Sequence, residues 1–354
     1  MFLLVGGFIC GLIAGAAARY GHMCSMGAIE DAVVGGNWRG VKAWGLALAS
    51  AVIATQTLYY YGVFDPLNTL YATTAIDWPA ALLGGILFGL GMSMVGTCCF
   101  GLLVRLGGGD LRALITTVFV GITAIAVNSG ALSNVRQHIE GISLIPLDAQ
   151  SQSFAPGLLA AIIGTNSSTI FCRLMLCVLF WCAAFDDKLL RRPRLMLSAI
   201  ALGLAVAAGW GVTGMAYQEM DTARVESLSF VAPGGRAILQ FMSEGLRDTT
   251  FSIASLFGVV AGALLIAIAR NEVSWEAFDD TREMRRHIFG AFLMGAGGIL
   301  AKGCTIGQGL SAGSVLSLTM PVVVMGIFLG AKIGLAILMH SPILGQLKIA
   351  KLLR

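Results

Sequence analysis

The sequence predicts an all-α polytopic membrane protein, and three observations carry that reading. Of the 354 residues, 57% are hydrophobic and only 12% are charged, against about 25% charged in soluble chains. Mean hydropathy is +0.83. Apolar stretches recur along the whole chain, at 1–18, 43–62, 78–95, 111–130, 156–164, 169–185, 195–215, 251–269, 288–301 and 315–339. A spanning helix needs roughly 20 apolar residues, so about nine to ten transmembrane segments are expected, several too short to cross alone. The longest polar interruption, 216–250, leaves no room for a soluble domain. A soluble enzyme, a nucleic-acid binder and a secreted disulfide scaffold are excluded together.

The first stretch has no basic residue before its apolar run, which favours a retained helix over a signal peptide. Basic residues then cluster at Arg39 and Lys42, at Lys188, Arg191, Arg192 and Arg194, and at Arg282, Arg285 and Arg286. The positive-inside rule puts these clusters in the cytoplasm. The loop 63–77 carries Asp65 and Asp77 and no basic residue, so it faces outward. Two full spans, 195–215 and 251–269, separate the second and third clusters and return the chain to the same side. Lys348, Lys351 and Arg354 place the tail in the cytoplasm as well.

The chain also repeats itself. Gly89 and Gly295, Gly91 and Gly297, Cys98 and Cys304, and Gly101 and Gly307 are each 206 positions apart. Glycine is abundant, at 46 residues, but cysteine is one of only eight, so the matched thiol is the telling feature. The first copy follows an outward loop and the second a cytoplasmic cluster. They are therefore expected to be antiparallel, in two halves, 1–187 and 188–354, of one membrane domain. Inverted repeats of this kind place a substrate site near the midplane, where short, broken helices meet.

Irregular backbone at that depth is tolerated only where protein or a water-filled cavity surrounds it. A helix starting there directs free N–H groups and partial positive charge at the gap, which suits an anion. Residues 99–106 after Cys98 and 305–312 after Cys304 are the candidate half-helices. A thiol at such a start is a weak donor and a soft partner, matched to exposed sulfur or selenium. The competing reading is that the small residues only pack helices together. Gly21-His22-Met23-Cys24-Ser25-Met26-Gly27 forms a third element. Its expected counterpart, Gly209 to Gly214, lacks the cysteine.

The other chemistry-bearing residues read as structural. Cys172, Cys177 and Cys182 advance about 140° per step round a helix and share no face. Cys10 lies in an apolar helix, and Glu30 and Asp31 mark a helix end. His22 belongs to no recognised metal-ligand spacing, and neither a metal nor a cofactor is expected. Gly7, Gly11 and Gly15, and Gly326, Gly330 and Gly334, form ridges for close helix packing. Lys302 is anomalous: a charge inside an apolar segment, two residues before Cys304, either attracts an anion or snorkels to the interface.

Gly-Cys-Thr-Ile-Gly-Gln-Gly at 303–309, Gly96-Thr-Cys98, and the Gly-x-x-Cys-x-x-Gly of 21–27 resemble the YeeE/YedE family of bacterial sulfur-transport membrane proteins. The resemblance spans nearly the whole chain and implies an hourglass of pseudo-symmetric halves in the inner membrane. It implies uptake of thiosulfate, or a similar reduced sulfur anion, passed between thiols by transient S–H···S hydrogen bonds without covalent chemistry. Those thiols map to Cys24, Cys98 and Cys304. From their places beside these cysteines in the chain, Gly96, Gly101, Gly303, Gly307, Gln308 and Lys302 are expected to line the same path. It also implies a small cytoplasmic partner, a sulfur carrier of the TusA type. Cys99 beside Cys98, and the charge at Lys302, depart from the family pattern and leave another sulfur or selenium substrate open. A membrane sulfurtransferase and a carrier-recruiting subunit are the rival classes. No general base is evident near either thiol, which argues against the enzyme.

Overall fold

The computed structural model describes residues 1–73, 75–141, 144–146, 153–155, 192–220, 225–243 and 250–340. The expected segments 156–164 and 169–185, with Cys172, Cys177 and Cys182, lie outside the described residues, as do Lys188, Arg191 and the basic tail. The described helices are α1 (Phe2–Gly21), α2 (Ser25–Val33), α3 (Arg39–Tyr60), α4 (Trp78–Val95), α5 (Cys99–Gly107), α6 (Leu111–Asn128), α7 (Ser133–Glu140), α8 (Pro193–Met220), α9 (Val231–Ser243), α10 (Phe251–Ala269), α11 (Thr281–Leu300) and α12 (Thr319–His340). A π-helical turn, Gly307–Ala312, precedes α12. The two-residue strands β1 (Ala75–Ile76) and β2 (Ile145–Pro146) pair antiparallel.

Seven spans among the described residues are long and apolar enough to cross a bilayer, two of them continuing through short helices: Phe2–Val33 and Trp78–Gly107. Helix α11 has the length as well, but Arg282, Glu283, Arg285 and Arg286 occupy its first turns. The protein is an all-α, multi-pass membrane protein.

Glycine ridges hold the bundle together main chain to main chain. A Cβ at Gly7, Gly11 or Gly15 of α1 would fall on the carbonyl of Phe251, Ser255 or Val259 of α10. Gly258 and Gly262 of α10 return the contact against Phe8 and Leu12. On α12, Gly326 and Gly330 meet the carbonyls of Leu82 and Ile86 of α4, and Gly334 meets the Ser93 side chain. Both ridges expected from sequence are thus packing surfaces. Without a hydrophobic drive between helices in lipid, such close approach supplies the van der Waals contact that holds them.

The repeat register persists in space. Helices α4 and α11 occupy matching positions in it and pack antiparallel: Gly84 lies against Gly297 and Ala301, and Gly91 against Gly290 and Met294. Helix α6 meets α11 where Thr123 touches Gly295, while α12 meets α4 where Ile327 and Ala331 touch Gly89. One sequence expectation is corrected. Gly209 to Gly214 do not form a broken element; they lie inside the continuous helix α8. Their glycines let Ser227, Phe251 and Phe64 approach closely. In the 206-residue register Cys24 falls instead on Phe230, immediately before α9.

Among the described residues, the first two basic clusters meet at one end of the bundle. Arg39 and Arg192 share a cavity with His22 at the end of α1. Arg19 donates to the Glu272 carbonyl in the loop that leads to α11. Arg112, at the start of α6, binds Asp110 (3.1 Å), Glu283 (3.3 Å) and Glu276. Arg112→Ala leaves three carboxylates facing one another in a partly buried site. We expect it to cost ~1–2 kcal/mol, read as a lower Tm of the detergent-solubilised protein.

Candidate functional site

Three short helical elements begin in the same way. Cys24 is the N-cap of α2, Cys98 is the N-cap of α5, and Cys304 precedes the π-helical turn. Each sulfur accepts a hydrogen bond from the backbone N–H of the glycine three residues on: Gly27, Gly101 and Gly307, each at 3.4 Å. A capping side chain satisfies one of the orphan N–H groups that every helix start leaves free. Here sulfur does what serine or aspartate usually does. Two of the glycines are sterically constrained: a Cβ at Gly101 would strike Thr97, and one at Gly307 would approach Ser229 Oγ to 2.8 Å, whereas Gly27 has room.

The half-helix expected at 99–106 is α5. The one expected at 305–312 is the π turn, a rare geometry concentrated at functional sites. It is held on several sides. Tyr71 donates its hydroxyl to the Gly307 carbonyl at 2.7 Å, Ser311 donates to the Leu228 carbonyl, and Trp210 Nε1 donates to Ser314 Oγ at 2.9 Å. Gln308 is 1% exposed and donates to the Ala301 carbonyl at 2.7 Å. Its Oε1 is buried without a hydrogen-bond partner among the described residues.

The cysteine sites adjoin one another between two cavities. At the basic end, a cavity of about 400 Å³ is lined by His22, Cys24, Asp31, Asn37, Arg39 and Arg192. Cys24 Sγ lies 3.7 Å from Thr97 Oγ1, one residue before Cys98. Ser25 and Thr305 flank Cys98 in turn. At the opposite end, a cavity of about 250 Å³ reaches Lys302 and Gly303, next to Cys304, past Tyr71, Arg136, Glu226 and Arg236. Cys98 and Cys304 are 1% and 0% exposed, so the centre between the cavities is closed. Cys24, Cys98, Cys99, Cys304 and Cys10 are free thiols.

Gly96 and Lys302 occupy matching positions, 206 residues apart. Both have left-handed backbone, with φ of 80° at Gly96 and 55° at Lys302. Glycine takes that conformation freely, whereas other L-residues pay roughly 1–2 kcal/mol. Lys302 ends α11, and Gly303 closes the turn by donating to the Gly298 carbonyl at 2.8 Å. The lysine neither projects alone into hydrocarbon nor snorkels alone to an interface. Its Nζ reaches Asp77 Oδ2, at the start of α4, at 3.5 Å.

The same register relates two apolar side cavities. One, of about 270 Å³, is lined by Ala28, Thr305, Gly309 and Ile327 among others. Its counterpart, lined by Gly234, Cys99, Leu103 and Gly121, shrinks to about 10 Å³. Leu103 fills the space that Gly309 leaves open. Cys99 thus lines this small pocket.

Residues 20–333 match the family described as sulphur transport. The chain belongs to that family. Among curated proteins, this member is similar to the thiosulfate transporter TsuA of Escherichia coli, at 23% identity over 332 residues covering 87% of each chain. It is also similar to the thiosulfate transporter TsuA of Spirochaeta thermophila, at 24% identity over 325 residues covering 88% of this chain and 92% of that one. Family membership makes the protein a transporter and not an enzyme, in line with the reading from sequence. Thr97, Tyr71 and Asp77 have partners far along the chain, which local pattern does not show. Arg136 and Arg236 pair with nearby Glu140 and Glu226, and it is their sharing of one cavity with Lys302 that the sequence does not show.

Proposed function

We propose that the protein carries thiosulfate, or a similar reduced sulfur anion, inward across the bacterial inner membrane along Cys24, Cys98 and Cys304. The observation that carries this reading is the repeated cap. With the sulfur occupied as acceptor of a backbone N–H, the thiol proton is free to be donated to a substrate. A helix start behind each thiol adds partial positive charge. A soft S–H donor suits the exposed terminal sulfur of thiosulfate better than the oxygens of sulfate. The relatives named as thiosulfate transporters support the same substrate.

In this reading the Lys302 cavity opens outward and the Cys24 cavity opens to the cytoplasm, as the positive-inside rule argues. The two halves, 1–187 and 188–354, form an inverted repeat around the closed centre. Gly96, Gly101, Gly303 and Gly307 give the loops their turns and close approaches, and Gln308 braces the second. No bond to the substrate forms or breaks. A small sulfur carrier of the TusA type would collect the anion beside Arg39 and Arg192.

The test is uptake of labelled thiosulfate into liposomes that hold only this protein. Saturable uptake, with no persulfide on Cys98 or Cys304 by mass spectrometry, is the expected result. Absence of uptake by a well-folded sample refutes unaided transport. A stoichiometric persulfide after substrate exposure refutes the non-covalent relay.

A further inference from the structure

The outer cavity holds three cations, and each faces a carboxylate. Arg136 binds both oxygens of Glu140, at 2.8 and 2.7 Å, and also donates to the Asn128 carbonyl. Arg236 lies 3.6 Å from Glu226, whose other oxygen accepts from Ser252 N–H at 3.4 Å. Lys302 lies 3.5 Å from Asp77. The second and third pairs are both loose, and the third is the one beside Cys304 in the chain. Charge-assisted N–H···O contacts are ordinarily about 2.7–2.9 Å, and the lysine has three donors to offer. Asp77 Oδ1 is buried with no hydrogen-bond partner among the described residues. The Asp77 side chain is only 14% exposed, whereas that of Lys302 is 37% exposed.

Backbone conformation argues that this lysine is kept for its side chain. Position 302 is left-handed, as is position 96, where glycine fills the role without strain. A lysine there offers nothing to the turn that glycine would not supply better. Its ammonium is the feature that glycine lacks.

We propose that Asp77 is a tethered competitor for Lys302, and that the pair selects doubly charged anions at the outer mouth. At equal distance a dianion attracts the ammonium twice as strongly as one carboxylate does. It can therefore draw Lys302 away from Asp77. A monoanion such as chloride has no such advantage over a carboxylate already in place. Lys302 then holds the dianion one residue from Gly303, at the approach to Cys304. The proposal rests on the transport reading above and adds Asp77 as its specificity-determining residue.

The experiment compares wild type, Asp77→Asn, Lys302→Gly and the double variant in liposomes, with labelled thiosulfate and with chloride replaced by gluconate at constant ionic strength. In Asp77→Asn the apparent KM should fall about fivefold, and chloride should become an inhibitor. In Lys302→Gly the KM should rise by about the same factor. Its Tm should hold or rise, because glycine relieves the left-handed strain, a result that a purely structural lysine would not give. The double variant should match Lys302→Gly, since the carboxylate has nothing left to compete for.

Asp77 makes no side-chain capping bond to α4, so Asp77→Asn should fold; Asp77→Ser, a good cap residue, provides the second variant. An unchanged KM and unchanged chloride response in both Asp77 variants overturns the proposal. So does a double variant that differs from Lys302→Gly. Titration of thiosulfate into the purified proteins reads the competition directly, so it separates failure of this proposal from failure of transport.

Discussion

Replacing Cys304 with alanine is expected to cut thiosulfate uptake roughly 10- to 150-fold. That range corresponds to losing one hydrogen bond to a charged partner, ~1.5–3 kcal/mol, at about 1.4 kcal/mol per tenfold. The substitution removes two things at once, the donor to the substrate and the acceptor from Gly307 N–H. Cys304→Ser separates them. Serine is a stronger N-cap than cysteine, so the serine variant should be at least as stable as wild type. Its hydroxyl is a shorter, harder donor that leaves a gap where sulfur sat, so uptake should stay well below wild type. Cys98→Ala and Cys98→Ser should behave in parallel, because Cys98 caps α5 by the same bond to Gly101. Full uptake by either alanine variant, measured in liposomes beside its melting curve, would end the relay.

Gly11→Leu should be the most damaging single change to the scaffold. A Cβ at Gly11 would sit on the Ser255 carbonyl oxygen and crowd its Cα. Both atoms are backbone inside a helix, so neither can swing aside as a flexible side chain would. The α1–α10 contact would have to open along its length, taking Gly7, Gly15, Gly258 and Gly262 out of contact as well. A cost of about 4 kcal/mol or more is expected, with loss of the monodisperse peak in size-exclusion chromatography. Gly45→Leu is the control. Nothing lies within 4 Å of a Cβ at that position, so its Tm should stay near wild type. A well-behaved Gly11→Leu protein would contradict the main-chain clamp.

Much of this architecture was legible because it is periodic. Apolar segments announce helices, and the glycine ridges at spacing four announce close contacts. The matched Cys98 and Cys304 announce related helix starts, and the structure places both at such starts. The limits have equally physical causes. Gly209, Gly211 and Gly214 look like a broken element, yet α8 runs straight through them, because glycine serves close packing as readily as it serves turns. The contact of Tyr71 with Gly307, and that of Asp77 with Lys302, join residues more than 220 positions apart. Local pattern carries no record of such pairs. Lys302 was conspicuous as a charge in an apolar run. That its backbone is left-handed, and that its partner stands at the start of α4, required the fold.

The contrast between Gly96 and Lys302 constrains kinetics as well as affinity. A path with no coupled ion obeys detailed balance, so at zero membrane voltage the ratio Vmax/KM must be equal for flux in either direction. A cation at one mouth and a glycine at the equivalent turn of the other cannot make such a path one-way. What Lys302 can do is deepen the well on its own side, lowering KM and Vmax for entry from that side in the same proportion. The protein would then saturate at low external substrate, while at concentrations well below KM flux would be equally easy in either direction. Its direction of net transport would be set by consumption of the anion inside the cell.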